Sequence, residues 1–157
     1  MTLLNKVLVF TEDSASLPEL CSGGRQLAKE VIAVIIGAQE NAETAGRCGA
    51  KAYWLGEKAA KTMVEDYAGD LARIITKENP NLVLVKSTKR GKLIAGKLNV
   101  ILKAGVITDA MEFEVETETT VKIKHLVYGG AAIRIERPKS ETAIAMVGSG
   151  SFEVTEA

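Results

Sequence analysis

Two cysteines, one histidine, one tryptophan and three prolines are all that the 157 residues contain, and aromatics make up 4%. One histidine and two isolated cysteines cannot assemble a Cys/His zinc site. Cys21 and Cys48 belong to no motif and suit a reducing compartment. Net charge is also missing, with 20 basic against 20 acidic residues. That excludes a general nucleic-acid binder, which carries a basic surplus, and electrostatic docking on anionic membranes. Apolar runs such as Val31–Ala38 are far too short to span a bilayer. The stretch Met1–Lys6 has no signal-peptide pattern. These absences read as a cytoplasmic protein. Hydrophobic residues at 46% and charged residues at 25% are ordinary globular composition, and this length forms one domain, residues 1–157.

What is present is an alternation of strand and helix signals. Lys6–Thr11, Val31–Gly37, Ala52–Gly56 and Leu82–Lys86 are short β-rich apolar runs, as expected of strands buried on both faces. Helical spacing runs from Ser16 to Val31, with Pro18 early and Ser16/Glu19 as a capping box. Gly23 and Gly24 within it permit close packing on a sheet. Further helices are expected over Asn41–Cys48 and Val64–Glu78, the latter stopped by Asn79-Pro80. A last one spans Gly91–Lys103, with Leu93, Ile94, Leu98, Ile101 and Leu102 inward. The order implies a three-layer α/β/α fold around a mostly parallel, Rossmann-like sheet. The period then changes. Met111–Glu116 and Val121–Lys124 alternate strictly, as half-exposed antiparallel strands do, and Ala131–Glu136 and Thr142–Val147 follow. Glu112, Glu114 and Glu116 can face Lys122 and Lys124, each pair adding ~0.2–1 kcal/mol.

Ligands of open α/β sheets bind beyond the carboxyl ends of the strands. Two such ends carry polar residues. Thr11-Glu12-Asp13 reads as a loop that caps the next helix, or as a site for a ribose or base. Lys86-Ser-Thr-Lys-Arg-Gly-Lys92 sets two hydroxyls, four cations and a glycine at a helix N-terminus, where backbone N–H groups and the helix dipole favour an anion. The alternative is a solvated basic loop or a partner-docking patch. The candidate binding set is therefore Glu12, Ser87, Thr88, Arg90, Gly91 and Lys92. Neither a Walker A nor a G-x-G-x-x-G motif occurs. His125, in register with Val121, Ile123 and Val127, reads as a packed, hydrogen-bonded residue. Tyr53 and Trp54 read as core, Asp109 as a turn or cap residue and Cys21 as an inert buried thiol. No nucleophile or acid–base pair is identifiable, so the chain does not read as an enzyme.

Several segments, in order, resemble one family. Val7-Leu-Val-Phe-Thr-Glu12 is similar to the opening strand of the electron transfer flavoprotein alpha subunit. Cys48–Tyr53 resembles its "YGADKVY" segment, and Ser87–Leu98 its "ATSTGRDLAPRL". Gly105–Asp109 resembles "GLVSD", Tyr128–Gly130 resembles "YGGN", and Ser151–Glu153 falls where "RPGAFE" closes the N-terminal domain. Leu93 stands in place of the family's Asp, Gly96 of its Pro, Ala131 of its Asn, and Gly148-Ser149 of its Arg-Pro. The resemblance covers nearly the whole chain and stops where the family's C-terminal FAD domain begins. A natural short relative is expected from this, with a fragment of a longer protein as the alternative. In the family that second domain carries most flavin contacts, while the first forms the scaffold that meets the beta subunit. The resemblance implies a non-catalytic scaffold in flavin-dependent electron transfer. Its partner would be a beta-subunit-like or flavin-bearing protein, or a second copy in a homodimer, with FAD shared or lost. A stand-alone adenine-nucleotide module, binding AMP or ATP, is the other reading.

Overall fold

The computed structural model describes residues 1–157. Eight strands form one sheet: β1 (Leu4–Phe10), β2 (Ala28–Ile35), β3 (Lys51–Trp54), β4 (Leu82–Lys86), β5 (Val106–Val115), β6 (Val121–Val127), β7 (Ala132–Glu136) and β8 (Ala143–Val147). Four helices connect the first five of them: α1 (Leu17–Leu27), α2 (Gln39–Arg47), α3 (Ala68–Glu78) and α4 (Lys89–Leu102). The strand order is β3-β2-β1-β4-β8-β5-β6-β7. The first six run parallel, and β6 and β7 extend the sheet antiparallel. Leu17, Leu20 and Cys21 of α1 join Val7, Val9 and Leu84 on one face; Leu71 and Ile75 of α3 and Ile94 and Leu98 of α4 join Leu8, Val83 and Val85 on the other. The expected α/β/α layering is present. Because β1 and β4 are covered on both sides, their side chains are almost wholly buried, and each contributes ~1.5–3 kcal/mol by leaving water.

Three local expectations change. The first helix ends at Leu27, and Ala28 is already extended at φ −139° and ψ 157°. Parallel pairing of Leu4 with Ala28 and Lys6 with Glu30 satisfies backbone groups that a longer helix would leave without a ladder. Gly24 allows this abrupt switch, since a Cβ there would lie 2.9 Å from Val31 Cγ1. Second, the Ser16/Glu19 capping box does not form. Asp13 caps the preceding 3-10 turn by accepting from Ala15 N at 3.0 Å, and Glu19 accepts from Phe152 N at 3.2 Å. Third, Leu93 and Ile101 of α4 face solvent rather than the core, while Gly91, Ile94, Ala95 and Leu98 are buried.

The change of period marks a real change of pairing. Val106 and Ile107 pair in parallel with β8, and Asp109 then adopts φ +51° at a bulge. Past it the same strand pairs antiparallel with β6, setting Glu112 opposite Lys124 and Glu114 opposite Lys122. A bulge bends and twists the strand that carries it. Phe152 from the C-terminal segment covers part of the antiparallel extension, stacking on Phe113 with ring centroids 5.7 Å apart. No helix of the protein is long and apolar enough to cross a membrane.

Candidate functional site

Sequential strands leave β1 in opposite directions, β2 to one side and β4 to the other. This reversal makes a crevice between the carboxyl ends of β1 and β4, the usual binding position in such sheets. Thr11–Ser14, Ser87–Arg90 and Gly148–Ser151 follow the ends of β1, β4 and β8 and meet there. Glu12 and Thr88 are joined directly: the Thr88 hydroxyl donates to Glu12 Oε1 at 2.7 Å. The same hydroxyl caps α4 by accepting from Gly91 N at 2.9 Å. A carboxylate thus reaches the first turn of a helix, where exposed N–H groups favour negative charge. Gly91 is required by space. A Cβ there would stand 2.2 Å from the Lys86 carbonyl oxygen.

The other sequence-selected residues diverge. Arg90 turns aside and donates through Nη1 to both carboxylate oxygens of Glu65, at 2.9 and 3.1 Å. Glu65's own backbone N–H and then Arg90 hold its carboxyl below the usual carboxylate range. Ser87 donates its backbone N–H to Val147 O at 2.8 Å, tying β4's exit to β8. Lys92 is exposed one turn along α4 and lines the groove between α3 and α4. Among the six, the structure brings Glu12, Thr88 and Gly91 together and leaves Arg90 and Lys92 outside the crevice mouth.

Sequence reasoning counted Lys86 among the loop cations but left it out of the binding set, and it passed over Ser149. Lys86 is buried at the end of β4, and its ammonium donates to the Ser149 hydroxyl and to no carboxylate. A lysine closing an apolar strand was the available signal, but Ser149 lies 63 positions away and only the sheet order unites them. It also passed over Glu78 at the opposite end of the sheet. There Tyr53 OH donates to it at 2.6 Å, Lys6 Nζ at 2.9 Å and Lys51 Nζ at 3.2 Å. The Tyr53 hydroxyl, then Lys6, bring its carboxyl down to about 2.

The lone readings resolve as follows. His125 is buried with Nε2 2.9 Å from Glu136 Oε2, while Nδ1 is enclosed without a partner. Cys21 is an inert thiol, pushed up to about 12 by burial. Trp54 is not core: its indole is 44% exposed and donates to Gly37 O at 2.8 Å, because β3 is the outer strand of the sheet and has a free edge. No cluster of three or more His, Cys, Asp or Glu is placed to hold a metal.

A parallel sheet with this reversal and an antiparallel extension fits many functions, and relatives narrow it. The family model described as the electron transfer flavoprotein domain matches residues 7–157. The chain belongs to this family. Protein FixB of Escherichia coli (strain K12) and Protein FixB of Shigella flexneri are each 37% identical to it over 158 residues, covering 99% of this chain and 50% of theirs. The chain therefore spans about half the length of these curated relatives. Among solved structures, a putative UDP-N-acetylglucosamine 2-epimerase from Listeria monocytogenes aligns over 71% of this chain and 32% of its own, at 15% identity and a TM-score of 0.48. That likeness is too slight to bear on function.

Proposed function

We propose that this electron transfer flavoprotein domain works as a non-catalytic scaffold that docks a beta-subunit-like or flavin-bearing protein through its antiparallel extension. One observation carries the reading: the free edge strand β7 exposes large apolar side chains. Ile133 is 54% exposed, Ile135 65% and the adjoining Tyr128 76%. An unpaired edge with apolar residues invites pairing with another chain, and a domain of this size seldom leaves such a patch open without a partner. The crevice supports a shared rather than a private flavin. The segments meeting there carry hydroxyls, cations and two carboxylates but no aromatic or large aliphatic side chain. They fit a ribose or phosphate and do not fit an isoalloxazine ring, whose apolar walls would come from elsewhere. The family implies FAD as the redox group, with this chain's part being to position its neighbour.

The test is co-expression with a beta-subunit-like protein and measurement of affinity and visible spectrum. Ile133→Lys with Ile135→Lys should weaken association by ~100-fold, the size expected of buried interface anchors. A stoichiometric flavin spectrum from the chain alone would overturn the scaffold reading. A second reading has its own support, since Glu12 and Thr88 stand at the topological reversal where such sheets take nucleotides. In it Ser87, Thr88, Arg90, Gly91 and Lys92 hold the phosphate of AMP or ATP and Glu12 the ribose, with Arg90 leaving Glu65 on binding. Calorimetry with AMP, ATP and FAD that gives no heat would remove it.

A further inference from the structure

Lys86 is the only buried lysine in the chain, at 7% exposure. It closes β4, and strand alternation turns it to the same side as Leu84, beneath α1. Its ammonium has three N–H bonds to donate and uses one, on the Ser149 hydroxyl. Having accepted that bond, Ser149 keeps its own proton for another acceptor, and no group of the protein takes it. Ser149 is exposed, between Gly148 and Gly150, where a Cβ would meet nothing within 4 Å, so there is open space beside the pair. The acids of the neighbouring loops are spent elsewhere. Glu12 accepts from the Thr88 hydroxyl, Asp13 from Ala15 N and the Ser16 hydroxyl, and Glu19 from Phe152 N. Lys86 pairs with none of them. A buried ammonium without a counter-charge is costly, and an apolar side chain would close the strand better.

We propose that Lys86 and Ser149 form a subsite for a phosphate group, the ammonium supplying the counter-charge and the hydroxyl a further donor. A phosphate monoester carries about −1.5 to −2 charge near pH 7 and presents three strong acceptor oxygens. It can therefore take the unused N–H bonds of Lys86 and the Ser149 proton together, with lysine acting as a point charge. This placement rests on the nucleotide reading above and moves its phosphate from Arg90 and Lys92 to the β8 side of β4. Arg90 is committed to Glu65, and Lys92 stands outside the crevice mouth. Lys86 and Ser149 need no salt bridge to break first. Glu12, on the β1 side, keeps its place toward the ribose. Since β4 lies between β1 and β8, a nucleotide held this way crosses the end of β4.

Calorimetry and thermal unfolding of the intact chain test this, in phosphate-free buffer at neutral pH, with inorganic phosphate, AMP and adenosine as the probes. Inorganic phosphate or AMP should raise the melting temperature of the wild type, since a ligand of the folded state stabilises it. Lys86→Met should weaken that binding by ~10–100-fold and Ser149→Ala by ~3–10-fold, the sizes of a charged and a neutral hydrogen bond. Ser149 is exposed, so Ser149→Ala carries the test should Lys86→Met fold poorly. Arg90→Ala with Lys92→Ala should change the affinity less than ~3-fold, as expected of screened charges at a distance. A Lys86-dependent response to both ligands makes the free ion a ligand in its own right, and one to AMP alone makes the nucleotide the source; either supports the subsite. Binding that survives Lys86→Met and Ser149→Ala but is lost in R90A/K92A overturns the proposal and leaves the nucleotide reading standing. Adenosine binding as tightly as AMP, or sodium chloride at matched ionic strength giving the same shift, also overturns it. No response to either phosphate ligand at ~10 mM removes the subsite and the nucleotide reading together.

Discussion

The two ends of the parallel sheet treat buried charge in opposite ways. At the amino end, Glu78 is 9% exposed and takes three donors from β1 and β3. At the carboxyl end, Lys86 is 7% exposed and has only a serine hydroxyl. A carboxylate within reach of two ammonium groups and a phenol recovers its desolvation cost, whereas an ammonium held by one hydroxyl recovers little. The amino end is built to hold three elements together. The carboxyl end keeps its cationic group unneutralised, its nearby carboxylate, Glu12, exposed, and its loops polar. Stability and adaptability are thus placed at opposite poles of one sheet, the usual division in folds whose ligands and partners gather at strand C-termini.

The largest break should come from Glu78→Ala. It strands Lys6, Lys51 and the Tyr53 hydroxyl, and urea unfolding should show a loss of about 2–3 kcal/mol, below the full cost of a broken buried pair because Lys51 is half-exposed. Its titration sharpens the same point. The Glu78 pKa is depressed in the folded state, so its contribution is complete above the ordinary value of 4.5 and is lost as pH falls toward about 2. An acid-unfolding curve of Glu78→Gln should lose that limb. Gly91→Ala comes next. With a Cβ 2.2 Å from a backbone oxygen, α4 must move off β4, and thermal unfolding should register about 2 kcal/mol of strain. Lys86→Met should go the other way. Replacing an uncompensated buried ammonium by an apolar side chain of similar length should raise stability by about 1 kcal/mol; a loss of that size would mean that a partner for Lys86 exists in solution. The smallest effect is Thr88→Ala, about 1 kcal/mol or less for a lost N-cap, and nuclear magnetic resonance should show Glu12 released.

Much of the scaffold was legible residue by residue. Val7–Phe10, Ile32–Val34 and Leu82–Val85 read as strands covered on both faces, because such short apolar runs, rich in valine, suit a sheet buried on both sides better than a helix. The alternation at Glu112–Glu116 and Val121–Lys124 announced an antiparallel pair with like faces, and the Glu–Lys register followed. α4 was misread at Leu93 and Ile101 for a physical reason: with apolar residues on both faces, spacing alone does not say which face the sheet takes. Of the candidate site, Glu12, Thr88 and Gly91 come together because a strand end and a helix cap adjoin there, and both leave local signatures. Arg90 could not be placed, since its pairing with Glu65 depends on how the start of α3 packs beside α4.

By itself the sequence determined the layers, the parallel core, the antiparallel extension and the family, since each rests on periodicity or on segments a few residues long. Only the tertiary structure decided which strands became neighbours. Strand order placed β8 between β4 and β5 and so brought Ser149 to Lys86, and it joined β1, β3 and α3 around Glu78. It also decided which apolar face of α4 would be left to solvent. These outcomes depend on contacts between residues far apart in the chain, where the energy is collective and no local pattern encodes it.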